Sequence, residues 1–438
     1  MPGLPGPAAL TSGRFRPPVP PLLTRPEPPG RWLVLADDLT GAADCAIAFA
    51  RRGLPASVAW GDDLPDDAVL ALDADSRRLS PDAAAACHRA LLGAHHREGA
   101  ALFKKIDSTL RGQPAAELAA TVRHLRAHGR GALAIVAPAF PAAGRTTMDG
   151  RIRVGGQPLE HSPLWARDHG YPSADLVAVL RFAGLRVRLA ELASVRVAMA
   201  EAVDDALAAG ADALVCDALT PADLRRVAEA TLPRAAELFW TGSGGLAEAL
   251  AYGMAGSAAP VPVAVAGGIL LVVGSVAEAS RAAAALLAAD GAVHAERVPP
   301  AVLHHGPGAP AWQGASRRIA QALAAGTDVL VEVAAAPNPD LRHGATLARH
   351  LATLLRPAAP SLGALFATGG ETALALLNSF GVTGIRMVED IEPGVPLGLT
   401  RGTLAIPVIT KAGAFGDAGT LARCLSHLRR RRRPENTP

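Results

Sequence analysis

Short apolar runs that stop abruptly at charged or hydroxyl residues, each followed by a helical pattern, recur along this chain of 438 residues. Arg31-Trp32-Leu33-Val34-Leu35-Ala36 stops at Asp37-Asp38-Leu39-Thr40-Gly41, and helical spacing then runs to Gly53. Residues 69–72 stop at Asp73-Ala74-Asp75-Ser76-Arg77, and Ala101-Leu102-Phe103 stops at Lys104-Lys105-Ile106-Asp107-Ser108-Thr109-Leu110-Arg111-Gly112. Leu133-Ala134-Ile135-Val136-Ala137 ends in Pro138-Ala139-Phe140-Pro141, with Gly144-Arg145-Thr146-Thr147 close behind. A strand covered on both faces reads as a continuous apolar run. Strand–helix–strand repetition demands a mostly parallel sheet with helices on both sides. Residues 148–159 read as a hairpin. Strands near Leu185, Ala213 and Leu238 continue this first series. A second series starts near Ile269, Val293, Val329, Leu365, Ile385 and Leu404.

The length exceeds one ordinary core. The expected fold is therefore α/β in two domains, 31–252 and 267–428, each a mostly parallel sheet flanked by helices, with an interdomain cleft. Residues 253–266, rich in Ala and Gly with two prolines, are the expected hinge. The Pro/Gly-rich stretch 1–30 and the arginine-rich end 429–438 are expected to be disordered, the latter a solvated tail whose deletion leaves turnover unchanged.

In open α/β sheets ligands bind at the carboxyl ends of the strands, and the polar clusters fall there. Asp and Thr cap helices well, but capping needs no lysine pair beside arginines. The chain has 43 Lys and Arg, and only Lys104, Lys105 and Lys411 are lysine. Where arginine has replaced lysine freely, a surviving lysine marks a place that needs a compact ammonium rather than a planar fork. Strand neighbours face opposite ways, so one of Lys104 and Lys105 faces the ligand and the other should tolerate arginine. Cations converging on one crevice imply an anionic ligand; Asp and hydroxyl groups imply that it also carries hydroxyls.

The second half repeats a different motif. Thr368-Gly369-Gly370-Glu371-Thr372 and Thr410-Lys411-Ala412-Gly413-Ala414-Phe415-Gly416-Asp417 each follow an apolar run, as does Gly274-Ser275. Glycines let backbone approach a ligand, and a helix N-terminus offers unpaired N–H groups to phosphate. Three such turns suggest a polyphosphate, although no G-x-x-x-x-G-K-[ST] is present. One rival is an NAD-dependent hydroxy-acid dehydrogenase, because Thr241-Gly242-Ser243-Gly244-Gly245-Leu246-Ala247 matches G-x-G-x-x-A. The acidic residue expected about 20 positions on is missing, since the chain there reads Pro260-Val261-Pro262-Val263. Another rival is a non-catalytic acid-binding protein.

The net charge is +3, and five of the positive charges are Arg429 to Arg433, so no nucleic-acid surface is expected. Four scattered cysteines without metal spacing fit reduced thiols and a cytoplasmic protein. No apolar run reaches the roughly 20 residues of a membrane span. A homodimer is compatible with all of this.

The motifs at Ala36–Ala42, Lys104–Gly112, Pro138–Thr147, Thr368–Ala373 and Thr410–Asp417, in that order, make the chain resemble the four-carbon acid sugar kinase family from about residue 31 to 428. The resemblance implies an N-terminal acid-sugar-binding domain and a C-terminal nucleotide-binding domain. It implies ATP-dependent phosphorylation of the 4-hydroxyl of threonate, erythronate or 3-oxo-tetronate, and Mg²⁺ is expected with the ATP because nucleotide phosphates need neutralising. Carried over by motif, Asp38, Arg77, Lys105, Ile106, Asp107 and Ser108 hold the acid, and Ser275, Gly369, Gly370, Glu371, Thr372 and Gly413 hold ATP. It also makes Lys105, not Lys104, the ligand-facing lysine. Asp37 and Arg145 are further expected acid contacts, Lys411 a further nucleotide contact, and Asp38 and Asp417 compete as the catalytic base. Ala414 and residues 167–172 depart from the family pattern and bear on substrate choice.

Overall fold

The computed structural model describes residues 29–61, 63–162, 165, 170–274, 277–334, 344–413 and 415–432. The expectations for residues 1–28, Ser275, Ala414, 167–169 and 433–438 lie outside the described residues.

Fifteen strands form one sheet, in the spatial order His294–Val298, Val329–Val333, Gly268–Val273, Leu362–Thr368, Pro407–Lys411, Val395–Gly402, Val382–Glu392, Ala56–Ala59, Val69–Asp73, Trp32–Ala36, Ala101–Lys105, Leu238–Gly242, Leu133–Ala137, Ala213–Cys216 and Val187–Ala190. The first five are parallel to one another, and so are the last eight. Two parallel sheets therefore exist, as expected, but they are fused. The antiparallel hairpin Val382–Gly402 pairs with Pro407–Lys411 on one side and with Ala56–Ala59 on the other. Two of the joining strands were not foreseen. Ala-Ser-Val-Ala is too short and small to stand out, and Val395–Gly402 carries a Pro and two Gly that weaken a strand pattern. The last strand starts at Pro407 rather than near Leu404.

Within the first half, the chain leaves the Trp32 strand for Ala56–Ala59 and Val69–Asp73 on one side, then crosses to Ala101–Lys105 on the other. The strand order reverses there, so the Trp32 strand marks the crevice where ligands bind in such sheets. Its position is held by apolar packing. Trp32 is buried with its ring 5.0 Å from Phe49 and 5.1 Å from Trp240. The helix Leu39–Ala50 buries ten of its twelve residues, so it is a core element rather than a surface one.

The segment 253–266 is strapped rather than free. Gly256 N–H donates to Arg52 O at 2.7 Å and Ala258 N–H to Gly53 O at 3.0 Å, and Val265 N–H donates to Arg431 O at 3.0 Å. A Cβ at Gly256 would stand 2.0 Å from Gly53 O, so only glycine permits that approach. The solvated-tail expectation is also corrected for its described part. Arg429 and Arg432 both pair with the buried carboxylate of Asp328, which also accepts from Ile269 N–H, and Arg431 pairs with Glu389. Charge alone could not reveal an acceptor about a hundred residues upstream. Truncation after Leu428 should leave Asp328 buried and unpaired and lower stability by about 2 kcal/mol. A lower melting midpoint checks this; an unchanged midpoint would mean that the arginines contribute nothing.

Candidate active site

Asp37 and Asp38 end the switch-point strand. Asp38 is extended (φ −150°) and caps the helix that follows: its Oδ1 accepts Gly41 N–H at 3.0 Å and its Oδ2 accepts Thr40 Oγ1–H at 2.8 Å. The neighbouring strand delivers Arg77 through a turn in which Asp75 has φ 44°. Arg77 donates from Nε and Nη2 to both oxygens of Asp37, at 2.6 and 3.0 Å, and from Nη1 to Asp38 Oδ2 at 2.7 Å. From the other side comes Asp107, whose Oδ1 accepts Thr109 N–H at 2.9 Å and the Thr109 hydroxyl, and whose Oδ2 accepts Arg111 at 2.6 Å. Burial favours the neutral carboxyl at Asp38 and Asp107, but the adjacent cations win and hold both below the usual range, Asp107 well below.

The two lysines separate as the pleat requires. Lys104 is fully buried, donating to Glu117 Oε2 and to its neighbour's carbonyl, each at 2.7 Å. Glu117 accepts the Ser76 hydroxyl at 2.8 Å, and His88 lies 3.0 Å from that hydroxyl. Lys104 is thus a structural cation, and the expectation that it tolerates arginine is withdrawn: a wide planar fork has no solvent to turn into. Lys105 points to the opposite side. Among the described residues its Nζ makes no hydrogen bond or ion pair within 4 Å. Burial would discharge it, but Asp37 and Asp38 lead the charges that hold its pKa above the ordinary lysine value. Its ammonium lies over Gly41, where a Cβ would stand 2.5 Å from Nζ and 2.7 Å from Asp38 Oδ1.

Around this ammonium a small crevice is lined by Asp38, Thr40, Gly41, Asp44, Arg77, Lys105, Asp107, Ser108, Arg111, Phe140, Ser243, Gly244, Ala412 and Phe415. The Gly242 turn belongs here: it starts the helix Gly244–Tyr252, whose N-terminus has no side-chain cap. The second half reaches in from the other side. Phe415 lies with its ring 5.9 Å from Phe140. The uncapped start of the helix Gly370–Ser379 abuts Asp38, since a Cβ on Gly370 would stand 3.1 Å from Asp38 Oδ2. Arg78 to Glu371 at 2.8 Å and Trp60 to Asn378 at 2.7 Å also join the halves.

Several expected residues do not line the crevice. Asp37 is buried behind Arg77, and Ile106 is core. Arg145 donates to Ala143 O at 3.0 Å. Asp417 is largely exposed, caps Gly419 N–H at 2.8 Å and pairs with Arg423 at 2.8 Å. It is dropped as the base candidate. Lys411 is not aimed outward at phosphate. Its Nζ donates to Ser280 Oγ at 3.0 Å and to the carbonyls of Ala412, Gly413 and Phe415 at 3.1, 3.3 and 2.7 Å, so it shapes that loop. Burial without a carboxylate partner pulls its pKa down to about 8. The crevice residues not foreseen as site residues are Thr40, Gly41, Asp44, Arg111, Phe140, Ser243, Gly244, Ala412 and Phe415. Thr40, Gly41 and Asp44 share one helix face at spacings of three and four, a signal present in the sequence.

Comparison with known proteins agrees with this division. Residues 32–250 match the model of a sugar-binding N-terminal domain, and residues 270–421 that of a nucleotide-binding C-terminal domain. A D-threonate kinase of Cupriavidus necator is 42% identical over 89% of this chain and 96% of its own length. The chain belongs to the four-carbon acid sugar kinase family. A D-threonate kinase of Bordetella bronchiseptica is 35% identical over 91% of this chain and 98% of its own length. A 3-oxo-tetronate kinase of Methylobacterium radiotolerans is 31% identical over 90% and 98%. A solved structure from Salmonella typhimurium LT2 shares the fold, with a TM-score of 0.76, 22% identity and coverage of 91% and 99%. As a member of this kinase family the protein is a sugar acid kinase, and the dehydrogenase reading of the Gly242 turn is set aside. No described helix is long and apolar enough to cross a membrane.

Two substitutions separate ligand positioning from stability. Gly41→Ala puts a methyl against Lys105 and Asp38 in a helix that otherwise favours alanine by roughly 0.5–1 kcal/mol. Its kcat/KM should fall at least about tenfold with little change in urea stability; unchanged kinetics would show that Lys105 needs no fixed seat. Lys104→Met strands the Glu117 carboxylate and should cost about 3 kcal/mol of stability, measured by urea unfolding.

Proposed function

We propose that this family member transfers the γ-phosphoryl group of ATP to the terminal hydroxyl of a four-carbon sugar acid, with D-threonate the first acid to test. The observation that carries the reading is the uncommitted Lys105 ammonium at the switch point, seated over Gly41 beside Asp38, the residue that the uncapped Gly370 helix of the nucleotide-binding half abuts. Lys105, with Ser108 and Arg77 beside it, would hold the acid's carboxylate and hydroxyls. The turn at Gly369, Gly370, Glu371 and Thr372, with Gly413, would hold the triphosphate through backbone N–H groups and the helix dipole. Asp37 and Asp107 would act by fixing the arginines.

Phosphoryl transfer is governed by positioning and charge stabilisation. The crevice, where Phe140 of one half meets Phe415 of the other, would supply the first. Lys105 and Arg77 supply the second. The described residues form no cluster of three or more metal-ligating side chains. Mg²⁺ is therefore proposed to arrive on the ATP phosphates rather than in a protein cage, and no step is assigned to it. D-threonate comes first because the 42% identical relative carries that name.

Release of ADP, followed with D-threonate, D-erythronate and 3-oxo-tetronate isomers, tests the reading; absence of turnover with all of them would refute it. On the acid that turns over, Lys105→Arg should lose at least about tenfold in kcat/KM, equivalent to about 1.4 kcal/mol. Guanidinium keeps the charge but cannot place three donors at one point. Wild-type rates in Lys105→Arg would remove the argument from the ammonium.

A further inference from the structure

Transfer to a hydroxyl needs a group that can take its proton, and the carboxylates of the crevice differ sharply in what is left to them. Both oxygens of Asp38 are engaged, by Gly41 N–H, by Thr40 and by Arg77. Both of Asp107 are engaged, by Thr109 and Arg111. A carboxylate locked against arginine is a poor proton acceptor, because the cation stabilises its ionised form. Asp38 is therefore a cap and a tether, although it is the carboxylate that the sequence motif brings forward.

Asp44 is different. It stands one turn beyond Thr40 and Gly41 on the helix Leu39–Ala50, and all three line the crevice. Across from it the Gly244 helix starts: a Cβ on Gly244 would stand 3.6 Å from Asp44 Cβ. Among the described residues its carboxylate makes no hydrogen bond and no ion pair within 4 Å. We propose that Asp44 takes the proton of the acceptor hydroxyl. This rests on the kinase reading above. The acceptor O–H bond breaks and its proton goes to an Asp44 oxygen. The electron pair left on the acceptor's oxygen forms the bond to the γ-phosphorus. The bond from γ-phosphorus to the bridging oxygen breaks, and its pair leaves with ADP. Asp44 then returns the proton to water.

The charges that face Asp44 come from four elements: Lys105 on its strand, Asp38 at the start of Asp44's own helix, Glu248 on the Gly244 helix, and Asp390 on the joining hairpin. Glu248 lies 3.8 Å and Asp390 3.0 Å from Arg51, which absorbs part of their charge. Burial first, then the three carboxylates, raise the Asp44 pKa to about 7, with Lys105 opposing. A base poised there is half ionised near neutral pH, where proton transfer is most effective. Activity follows the ionised form, so the rate should climb as pH rises through about 7 and level off above. Stability runs the other way. The folded state holds a proton that the unfolded state releases near 3.8. The carboxyl therefore costs stability increasingly between those two values, and Asn at this position should stabilise the protein at pH 8.

The test uses the full-length protein with ATP, Mg²⁺ and the acid that the wild type turns over. Asp44→Asn should lower kcat by about a hundredfold or more, shift the KM for the acid less than about threefold, and lose the rising limb near pH 7. It should melt no lower than wild type at pH 8, which excludes misfolding as the cause; Asp44→Glu, which restores a carboxylate, should recover part of the rate. The proposal is overturned if Asp44→Asn keeps kcat within about threefold, if the limb persists, or if raised Mg²⁺ restores the rate, which would make Asp44 a metal-holding group. An inactive wild type removes the kinase reading and this proposal with it. An active wild type with an indifferent Asp44→Asn removes this proposal alone.

Discussion

Charge pairing at three adjacent strand ends is the constraint from which the site follows. Asp37, Asp38 and Asp107 converge on Arg77 and Arg111 in a place where solvent is scarce. Unpaired, such charges would each cost several kcal/mol of desolvation. The arginines, with their planar forks, satisfy carboxylate oxygens two at a time. That leaves Lys105 electrostatically stabilised by the same carboxylates yet without a direct partner. An anion entering the crevice therefore meets a charged group whose own bonds do not have to be broken first.

A second, buried set of charges lies behind the first. Lys104 joins Glu117, which joins Ser76, the residue before Arg77. One network thus ties the loop that presents Arg77 to the strand that presents Lys105. The pleat sends one lysine to each network. The fused sheet matters for the same reason. Because Val382–Gly402 bridges both halves, the Gly370 helix is held close to Asp38 by main-chain hydrogen bonds as well as by surface contacts.

The fold was legible where apolar runs were long and ended in punctuation: the strands before Asp37, Lys104 and Gly369 lie where their sequences put them. It was not legible where strands were short, small or interrupted, as at Ala56–Ala59 and Val395–Gly402, and those are the strands that fuse the halves. The site was legible as a set of residue types at strand ends, which gave Asp38, Arg77, Lys105 and Ser108. Direction was not legible. Lys411 and Asp417 sit in a motif of the right kind, but one turns its amine to loop carbonyls and the other faces solvent beside Arg423. Lysine scarcity drew attention to three positions, and the structure sets them in different situations: Lys105 is uncommitted, while Lys104 and Lys411 are fully committed, so the tolerance of arginine expected at Lys104 was misread. The spacing of Asp44 from Thr40 and Gly41 was open to reading, but what sets Asp44 apart, its absence of partners among the described residues, is not encoded by spacing.

The most direct test of the account is a crystal structure with D-threonate and a non-hydrolysable ATP analogue. It should place an oxygen of the acid about 3 Å from Lys105 Nζ, above Gly41 and beside the Phe140–Phe415 contact, with the terminal phosphate at the Gly370 helix. An acid bound elsewhere, with the Lys105 ammonium still without a ligand, would contradict it.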